Sequence, residues 1–240
     1  MKEPIEHFYL KTGFKTGKIK EWVIGDKYVA IMNHKGNIGV CATLGIEMNE
    51  GLFRGEKPDL KDTAHRIILN AYFNSIYNYE RQYFDIKDIF DRIDFSLQNK
   101  IVMVGYFETL YKKFSDNNLQ LDVFDIHKES DILTDISKMK VRLSEAGTII
   151  LTGTTIFNNT FNEITGLTPR GCNIFLLGPS NILSEEMFSY PNIKVVFGSV
   201  FKPGDRRVLD KISEGYGTRG FLPYLDKVYI VKDDYRNEIQ

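Results

Sequence analysis

Short, unbroken apolar runs alternate with segments of helical periodicity through the second half of the chain, and this alternation limits the fold more than any other feature. Apolar runs without polar alternation are typical of parallel strands that helices cover on both faces. The pattern predicts strands at 101–105, 121–126, 148–152, 173–177 and 194–197, separated by helices. A last apolar stretch, 227–231, is interpreted either as an edge strand or as packing across a domain junction. The predicted class is a Rossmann-like α/β domain with a mainly parallel sheet.

The first half has a different pattern. Alternating residues separated by turn signals predict an antiparallel meander with strands at 22–24, 28–32 and 38–42. Asp62 is a candidate cap for a helix that keeps its apolar spacing to about residue 79. We therefore expect an α/β protein of two domains, a small α+β domain over 1–95 and the Rossmann-like domain over 96–240, joined by a partly apolar linker near 92–99 that packs rather than flexes.

Charge and cysteine content narrow the classes of partner. The chain has 31 basic and 32 acidic residues and a net charge of −1, so it lacks the basic surface expected for nucleic acid or an anionic membrane. No apolar run approaches the roughly 20 residues that a membrane span needs. We expect a cytoplasmic protein without nucleic-acid or membrane partners, and a homodimer is kept open. Cys41 and Cys172 are expected to be reduced and buried.

Four turns follow predicted strands, and the carboxyl ends of parallel strands share one edge of a sheet, where open α/β sheets bind ligands. These turns contain Gly105-Tyr106-Phe107, Thr152-Gly153-Thr154-Thr155, Gly178-Pro179-Ser180 and Phe197-Gly198-Ser199. The first turn has one glycine followed by two bulky aromatics, whereas a dinucleotide site needs G-x-G-x-x-G. Classical NAD or FAD binding is therefore not expected, and no P-loop motif occurs.

The second turn is the richest in polar side chains. Together with Asn158 and Thr160, it offers hydroxyls and carboxamides at a strand-to-helix turn, which suits a carboxylate or a phosphate. Helix capping is the alternative explanation for these residues. In the glycine-rich segment 214–220, Arg219 is interpreted either as a clamp on an anionic ligand or as part of a mobile exit from the last helix.

These turns carry a resemblance to a known family. The segments 104–107, 151–160 and 177–180, in this order and spacing, resemble the family described as "Putative heavy-metal chelation", in which an enolase N-terminal-like domain precedes a Rossmann-like domain. Asn70 and the 39–43 segment resemble parts of the family's first domain. The resemblance implies binding of a metal or metal complex in a cleft between the domains, and Asn70 is expected to reach that cleft.

The residues themselves leave the function open. Asp125 and His127 leave the second parallel strand on one face and are candidate ligands of a transition metal. The alternative for His127 is an exposed loop residue without a metal. A metal could also be held by the ligand itself. On the predicted helix, Arg66, Asn70, Phe73 and Tyr77 form a stripe that either borders the cleft or is a solvated face. Two functions are carried forward: binding or chelation of a small anionic or metal-containing ligand, and a transferase or lyase acting in the same cleft, with no catalytic residue assigned.

Overall fold

The computed structural model of the protein describes residues 1–83, 88–128 and 130–239, which form two β-sheets surrounded by helices. The smaller sheet contains β1 (Ile19–Ile24), β2 (Tyr28–Asn33) and β3 (Ile38–Ala42). The larger sheet contains β4 (Ile101–Val104), β5 (Asp122–Phe124), β6 (Thr148–Thr152), β7 (Asn173–Leu177), β8 (Ile193–Phe201) and β9 (Leu225–Val231). The α-helices are α1 (Pro4–Thr12), α2 (Thr63–Tyr77), α3 (Ile89–Arg92), α4 (Glu108–Asp116), α5 (Met139–Glu145), α6 (Phe161–Leu167), α7 (Arg207–Ser213) and α8 (Thr218–Phe221).

The larger sheet has the strand order β5-β4-β6-β7-β8-β9. All neighbouring pairs are parallel except β8 with β9, which are antiparallel. The predicted α/β class with a mainly parallel sheet is confirmed, and the last apolar stretch is an edge strand. Because the chain order reverses direction between β4 and β6, the topological switch point lies outside the carboxyl ends of these two strands.

The smaller sheet is the predicted antiparallel meander, with β2 between β1 and β3. Helix α2 covers it and begins after Asp62, whose Oδ1 accepts hydrogen bonds from the N–H groups of Ala64 (2.7 Å) and His65 (3.3 Å), as expected. A Cβ on Gly39 of β3 would lie 2.1 Å from the carbonyl oxygen of Ala71. The glycine therefore lets α2 lie directly on β3, and this close approach fixes which face of α2 meets the larger sheet.

The apolar core is continuous across the two halves of the chain. One cluster joins Ile67 and Phe73 of α2 to Leu151 of β6 and Leu176 of β7. A second unites the smaller sheet with α7 and α8, from the end of the chain. Within the predicted linker, Ile93 and Phe95 are each 2% exposed and pack into the core, whereas Leu97 is 79% exposed. The division at residue 95 stays a prediction, since the last helices return to the first sheet.

Three further findings complete the fold. Helix α1, which the sequence patterns did not predict, buries Ile5 and Phe8 in the main core. Both cysteines are free and buried, as expected. Over the described ranges, no helix has both the length and the apolar character required to cross a membrane.

Candidate functional site

A cavity of about 1070 Å³ lies at the carboxyl edge of the larger sheet. Its floor is formed by the turns after β4, β6 and β7, and part of β8 also lines it. The smaller sheet contributes Tyr28 and Ala42 to its wall, and Leu44 follows β3. The predicted site residues that line the cavity are Gly105, Tyr106, Phe107, Asp125, His127, Thr152, Gly153, Thr154, Thr155, Asn158, Thr160, Gly178, Pro179, Ser180 and Arg219. The cavity thus coincides with the switch point, where this fold class binds ligands.

The turns after β4 and β6 touch each other at the switch point. Gly105 has φ +93°, and a Cβ at this position would lie 2.7 Å from Cβ of Thr152. The following residue, Tyr106, donates its N–H to Oδ2 of Asp125 at 2.8 Å. The carboxylate at the end of β5 therefore fixes the turn after β4, and the absence of a Cβ on Gly105 lets that turn approach β6.

The threonine-rich turn largely satisfies its own hydrogen bonds. Thr155 Oγ1 donates to the carbonyl of Thr152 (2.8 Å), and Thr160 Oγ1 donates to Oδ1 of Asn158 (2.6 Å). Thr152 Oγ1 accepts the N–H of Thr154 at 3.3 Å and lies 3.1 Å from Thr154 Oγ1. Capping is thus one role of these residues. Because only one of the Thr152 and Thr154 hydroxyls can donate to the other, the second O–H has no acceptor among the described residues and is open to water or to a ligand.

Asn70 does not line the cavity, in contrast to the expectation from the sequence. Its side chain is fully buried, and Nδ2 donates to the carbonyl of Ser180 (2.8 Å) and to Sγ of Cys41 (3.2 Å). Phe73 and Tyr77, which share the predicted stripe, are buried in the main core. The reason is the docking of α2 on β3, which turns this side of the helix into the protein. Asn70 therefore holds the Ser180 turn from behind.

Three more anchors at four-residue spacing lie on α2 and at its C-cap, Asn78, and sequence reasoning missed their role. Asn78 Nδ2 donates to the carbonyls of Asn181 (3.1 Å) and Ser199 (3.2 Å), and Asn78 Oδ1 accepts the N–H of Leu183 at 2.8 Å. Asn74 Nδ2 donates to the carbonyl of Val40 at 2.9 Å. The spacing of Arg66, Asn70, Asn74 and Asn78 was the available signal for a polar ridge along one side of the helix.

Arg66 anchors the other floor turn. It is 2% exposed, and its guanidinium donates to the carbonyls of Phe157 (2.5 Å) and Ile156 (3.2 Å), just beyond the threonine-rich turn. One helix of the first half therefore positions two of the turns that form the cavity floor in the second half.

Two buried serines belong to the lining of the cavity. Ser180 Oγ accepts the N–H of Ala42 at 3.1 Å, which joins the floor to β3. Ser199 is 3% exposed, and its Oγ has no hydrogen-bond partner among the described residues. A buried hydroxyl without a partner is costly, so it is normally kept for a reason. The sequence placed Ser199 in a turn, whereas β8 runs through it to Phe201.

The segment 216–220, which we call the C-terminal strap, crosses one side of the cavity. Thr218 Oγ1 lies 2.7 Å from Oη of Tyr28, and burial raises the pKa of Tyr28 to about 12. Arg219 Nη2 lies 2.6 Å from Oε2 of Glu108. Hydrogen bonds from Lys112 and then from Arg219 hold the pKa of Glu108 below its ordinary value. Two adjacent residues of the strap therefore tie it to β2 and to α4.

The described side chains do not fit a heavy metal held directly by the protein. Asp125 uses both carboxylate oxygens for backbone N–H groups, those of Tyr106 and of His127, each at 2.8 Å. His127 is exposed. Burial raises the pKa of Cys41 and of Cys172 to about 12, so both stay protonated thiols. Within 1–83, 88–128 and 130–239, no three His, Cys, Asp or Glu side chains come together in a group that could hold a metal ion.

The strand order and the position of the cavity define a doubly wound α/β protein with an added antiparallel sheet. The family model described as "Putative heavy-metal chelation" (DUF364) matches residues 88–231, more than half of the chain, and the protein belongs to this family. A comparison with proteins of curated function gave no match.

Two crystal structures of family members with unknown function share the fold. One, from Desulfitobacterium hafniense, has a TM-score of 0.76 at 17% identity and covers 95% of this chain and 98% of its own. The other, from Pyrococcus horikoshii, has a TM-score of 0.74 at 16% identity and covers 96% of this chain and 99% of its own. At these identities the similarity establishes the fold alone.

Proposed function

We propose that the protein binds a small anionic organic molecule in the cavity, and that any metal it handles is carried by that molecule as a chelate. One observation supports this proposal most: a ligand-sized cavity with a free threonine hydroxyl lies at the switch point, while the described residues offer no cluster of metal ligands. Recognition of a metal complex through its organic part reconciles the family's description with these side chains.

The polar groups of the cavity suit an anion. The leftover hydroxyl of the Thr152 and Thr154 pair is a hydrogen-bond donor at the cavity, and the unpartnered hydroxyl of Ser199 is buried beside it. Two lysines at the cavity, Lys27 and Lys128, form no ion pair with any described residue, and Lys128 lies 4.7 Å from the ring centroid of Tyr106. A carboxylate, sulfonate or phosphate would receive one O–H donor and nearby positive charge.

Two acids at the cavity, Asp125 and Glu163, likewise form no ion pair with a described residue, so they balance the two lysines in number. The remaining cations at the cavity outnumber the remaining acids by one. Asp88 binds Lys113 and Lys227, and Arg219 binds Glu108. The predicted clamp, Arg219, would therefore have to leave Glu108 before it could bind a ligand.

The alternative function, a transferase or lyase, is supported by no specific observation. An enzyme needs an acid or base poised to exchange a proton near its working pH. Asp125 at the floor is engaged by two backbone N–H groups, and the raised pKa of Tyr28 keeps its phenol protonated. The arrangement suits binding better than proton transfer.

The test is the composition of the purified protein. Native mass spectrometry and elemental analysis of protein prepared without added metal should show an organic adduct, with metal present only where the adduct is present. Thr154→Val should weaken adduct binding by about tenfold, because a hydrogen bond to a charged group is lost without a core defect.

Thr148→Val is the matched control, since Thr148 lies at the opposite end of β6 and donates to Gln98 Oε1 at 2.7 Å, away from the cavity. Equal adduct occupancy in the two variants would contradict the assignment of the turn. One metal per chain in protein that carries no adduct would contradict the proposal as a whole.

A further inference from the structure

The mouth of the cavity is apolar as well as charged. Four large hydrophobic side chains are exposed around it, namely Ile126 (66%), Ile136 (51%), Tyr216 (49%) and Leu222 (45%). We call these four residues the apolar rim. They come from two separate parts of the chain, the loop after β5 with the turn that follows it and the C-terminal strap with its continuation. Single exposed hydrophobic residues are ordinary, whereas a group around one opening marks a binding surface.

The size of the cavity requires more than an anionic group. A water molecule's share of liquid volume is about 30 Å³, so an anion of four or five heavy atoms fills only about 150 Å³. The cavity is about 1070 Å³, at the upper end of the usual range for small-molecule sites. Most of its volume is therefore available to the rest of the ligand, and that volume opens onto the apolar rim.

The walls between floor and mouth are aromatic. Tyr28, Tyr106 and Phe107 line the cavity, and each is half-buried. A Cβ built on Gly178 would meet only Cε1 of Phe107, at 3.9 Å, so the space beside this ring is open. Half-buried aromatic faces next to open space favour a flat or apolar body, with which they stack or pack.

We infer that the ligand is an amphipathic anion whose charged end lies on the threonine-rich turn and whose aromatic or aliphatic body lies between the aromatic walls and the apolar rim. The inference rests on the proposed function for its charged end and adds the chemical class of the body. The occupant of the rim is thus the same small molecule that the floor holds. A second copy of the chain on the rim is the competing outcome.

Three matched probes separate the two ends of such a ligand. 1-Anilinonaphthalene-8-sulfonate has both an aromatic body and a charged end, N-phenyl-1-naphthylamine has the same body without the sulfonate, and methanesulfonate has the charge without the body. Fluorescence titration measures the first two, and competition measures the third. We expect the anilinonaphthalene sulfonate to bind one per chain and more tightly than either of the other probes.

Substitutions in the protein then show which residues contact each end of the ligand. Ile126→Ser and Leu222→Ser should each weaken both naphthalene probes by about tenfold, since each removes apolar contact from the body. Thr154→Val should weaken binding of the two sulfonates and leave the affinity for N-phenyl-1-naphthylamine unchanged. Leu97→Ser is the control, because Leu97 is equally apolar and 79% exposed but lies outside the cavity, and its affinities should match the wild type.

The outcomes distinguish this inference from the proposed function. If Thr154→Val weakens the sulfonate probe and the rim substitutions change nothing, the amphipathic ligand is refuted and anion binding stands. If both naphthalene probes bind equally and Thr154→Val changes neither, anion binding on this turn fails, and the inference fails with it. Sedimentation gives the last outcome: a dimer that Ile126→Ser converts to a monomer would assign the rim to a second copy and overturn the inference.

Discussion

Replacing Gly105 by alanine should destabilise the fold more than the same change at two glycines of similar backbone conformation. Gly105, Gly171 and Gly178 have φ of +93°, +87° and +120°. An added Cβ would lie 2.7 Å from Cβ of Thr152 at Gly105, whereas it would meet nothing within 4 Å at Gly171 and only Cε1 of Phe107, at 3.9 Å, at Gly178. The three variants therefore share a positive φ and differ in steric overlap.

The expected losses in the free energy of unfolding follow from the cost of positive φ and the cost of steric overlap. Positive φ costs an L-residue about 1–2 kcal/mol, and the smaller entropy of the unfolded alanine variant returns about 0.4–1 kcal/mol. We expect Gly171→Ala and Gly178→Ala to lose about 1 kcal/mol in the free energy of unfolding. At Gly105 the overlap with Thr152 adds about 1–3 kcal/mol, the usual cost of overpacking, for a total of about 2–4 kcal/mol.

Urea denaturation measures the difference, as a shift in midpoint at unchanged m-value. A Gly105→Ala variant as stable as Gly171→Ala would refute the argument that β4 and β6 approach each other through this glycine. Gly178→Ala has a second readout. Its methyl group would enter the cavity, so this variant should lose ligand affinity while Gly171→Ala, which is outside the cavity, keeps it.

Three other predictions concern buried polar groups. Ser199→Ala should leave the free energy of unfolding unchanged or higher in urea denaturation, because the buried hydroxyl has no partner. A loss of stability above about 1 kcal/mol would show that the hydroxyl is satisfied within the fold. Asn78→Ala should lower the free energy of unfolding by about 3 kcal/mol or more, measured by urea denaturation, since three buried backbone groups lose their partner. A change below about 1 kcal/mol would refute the anchoring role of Asn78. The thiols of Cys41 and Cys172 lose their protons near pH 9 in the unfolded chain and near pH 12 in the folded protein. The free energy of unfolding should therefore fall as pH rises from 9 to 12, by up to about 1.4 kcal/mol per pH unit for each thiol, and Cys172→Ala should reduce that slope. Equal stability of the wild type at pH 8.5 and 10.5 would contradict this prediction.

The sequence predicted the elements whose pattern is local. The apolar runs of β6 and β7 have the predicted bounds, since each is closed by a turn residue and covered on both faces. Strand β8 is longer than its apolar run because β9 pairs with it as far as Phe201. Helix α1 was missed because it is short and its buried face has few apolar residues.

The site was predictable where it depends on topology. Parallel strands end on one edge, so the turns around Gly105, Thr152 and Gly178 were expected to converge, and all three line one cavity. The roles of Asn70 and Asn78 depend on how α2 is rotated against β3, which no local pattern specifies. Ser199 likewise needed the pairing of β8 with β9, because the apolar run alone ended before it.

Metal binding by the stripped protein tests the central claim most directly, which is that the cavity holds an organic anion and does not ligate metal itself. Cu²⁺ is the most demanding probe, because protein sites bind it more tightly than the other divalent first-row ions. Protein freed of small molecules should be dialysed at low micromolar Cu²⁺ beside Asp125→Asn and His127→Ala variants, and its metal content measured.

We predict that the wild type and both variants retain the same copper, with none assignable to the cavity. One Cu²⁺ per chain in the wild type, lost in both variants, would contradict the claim and restore Asp125 and His127 as metal ligands.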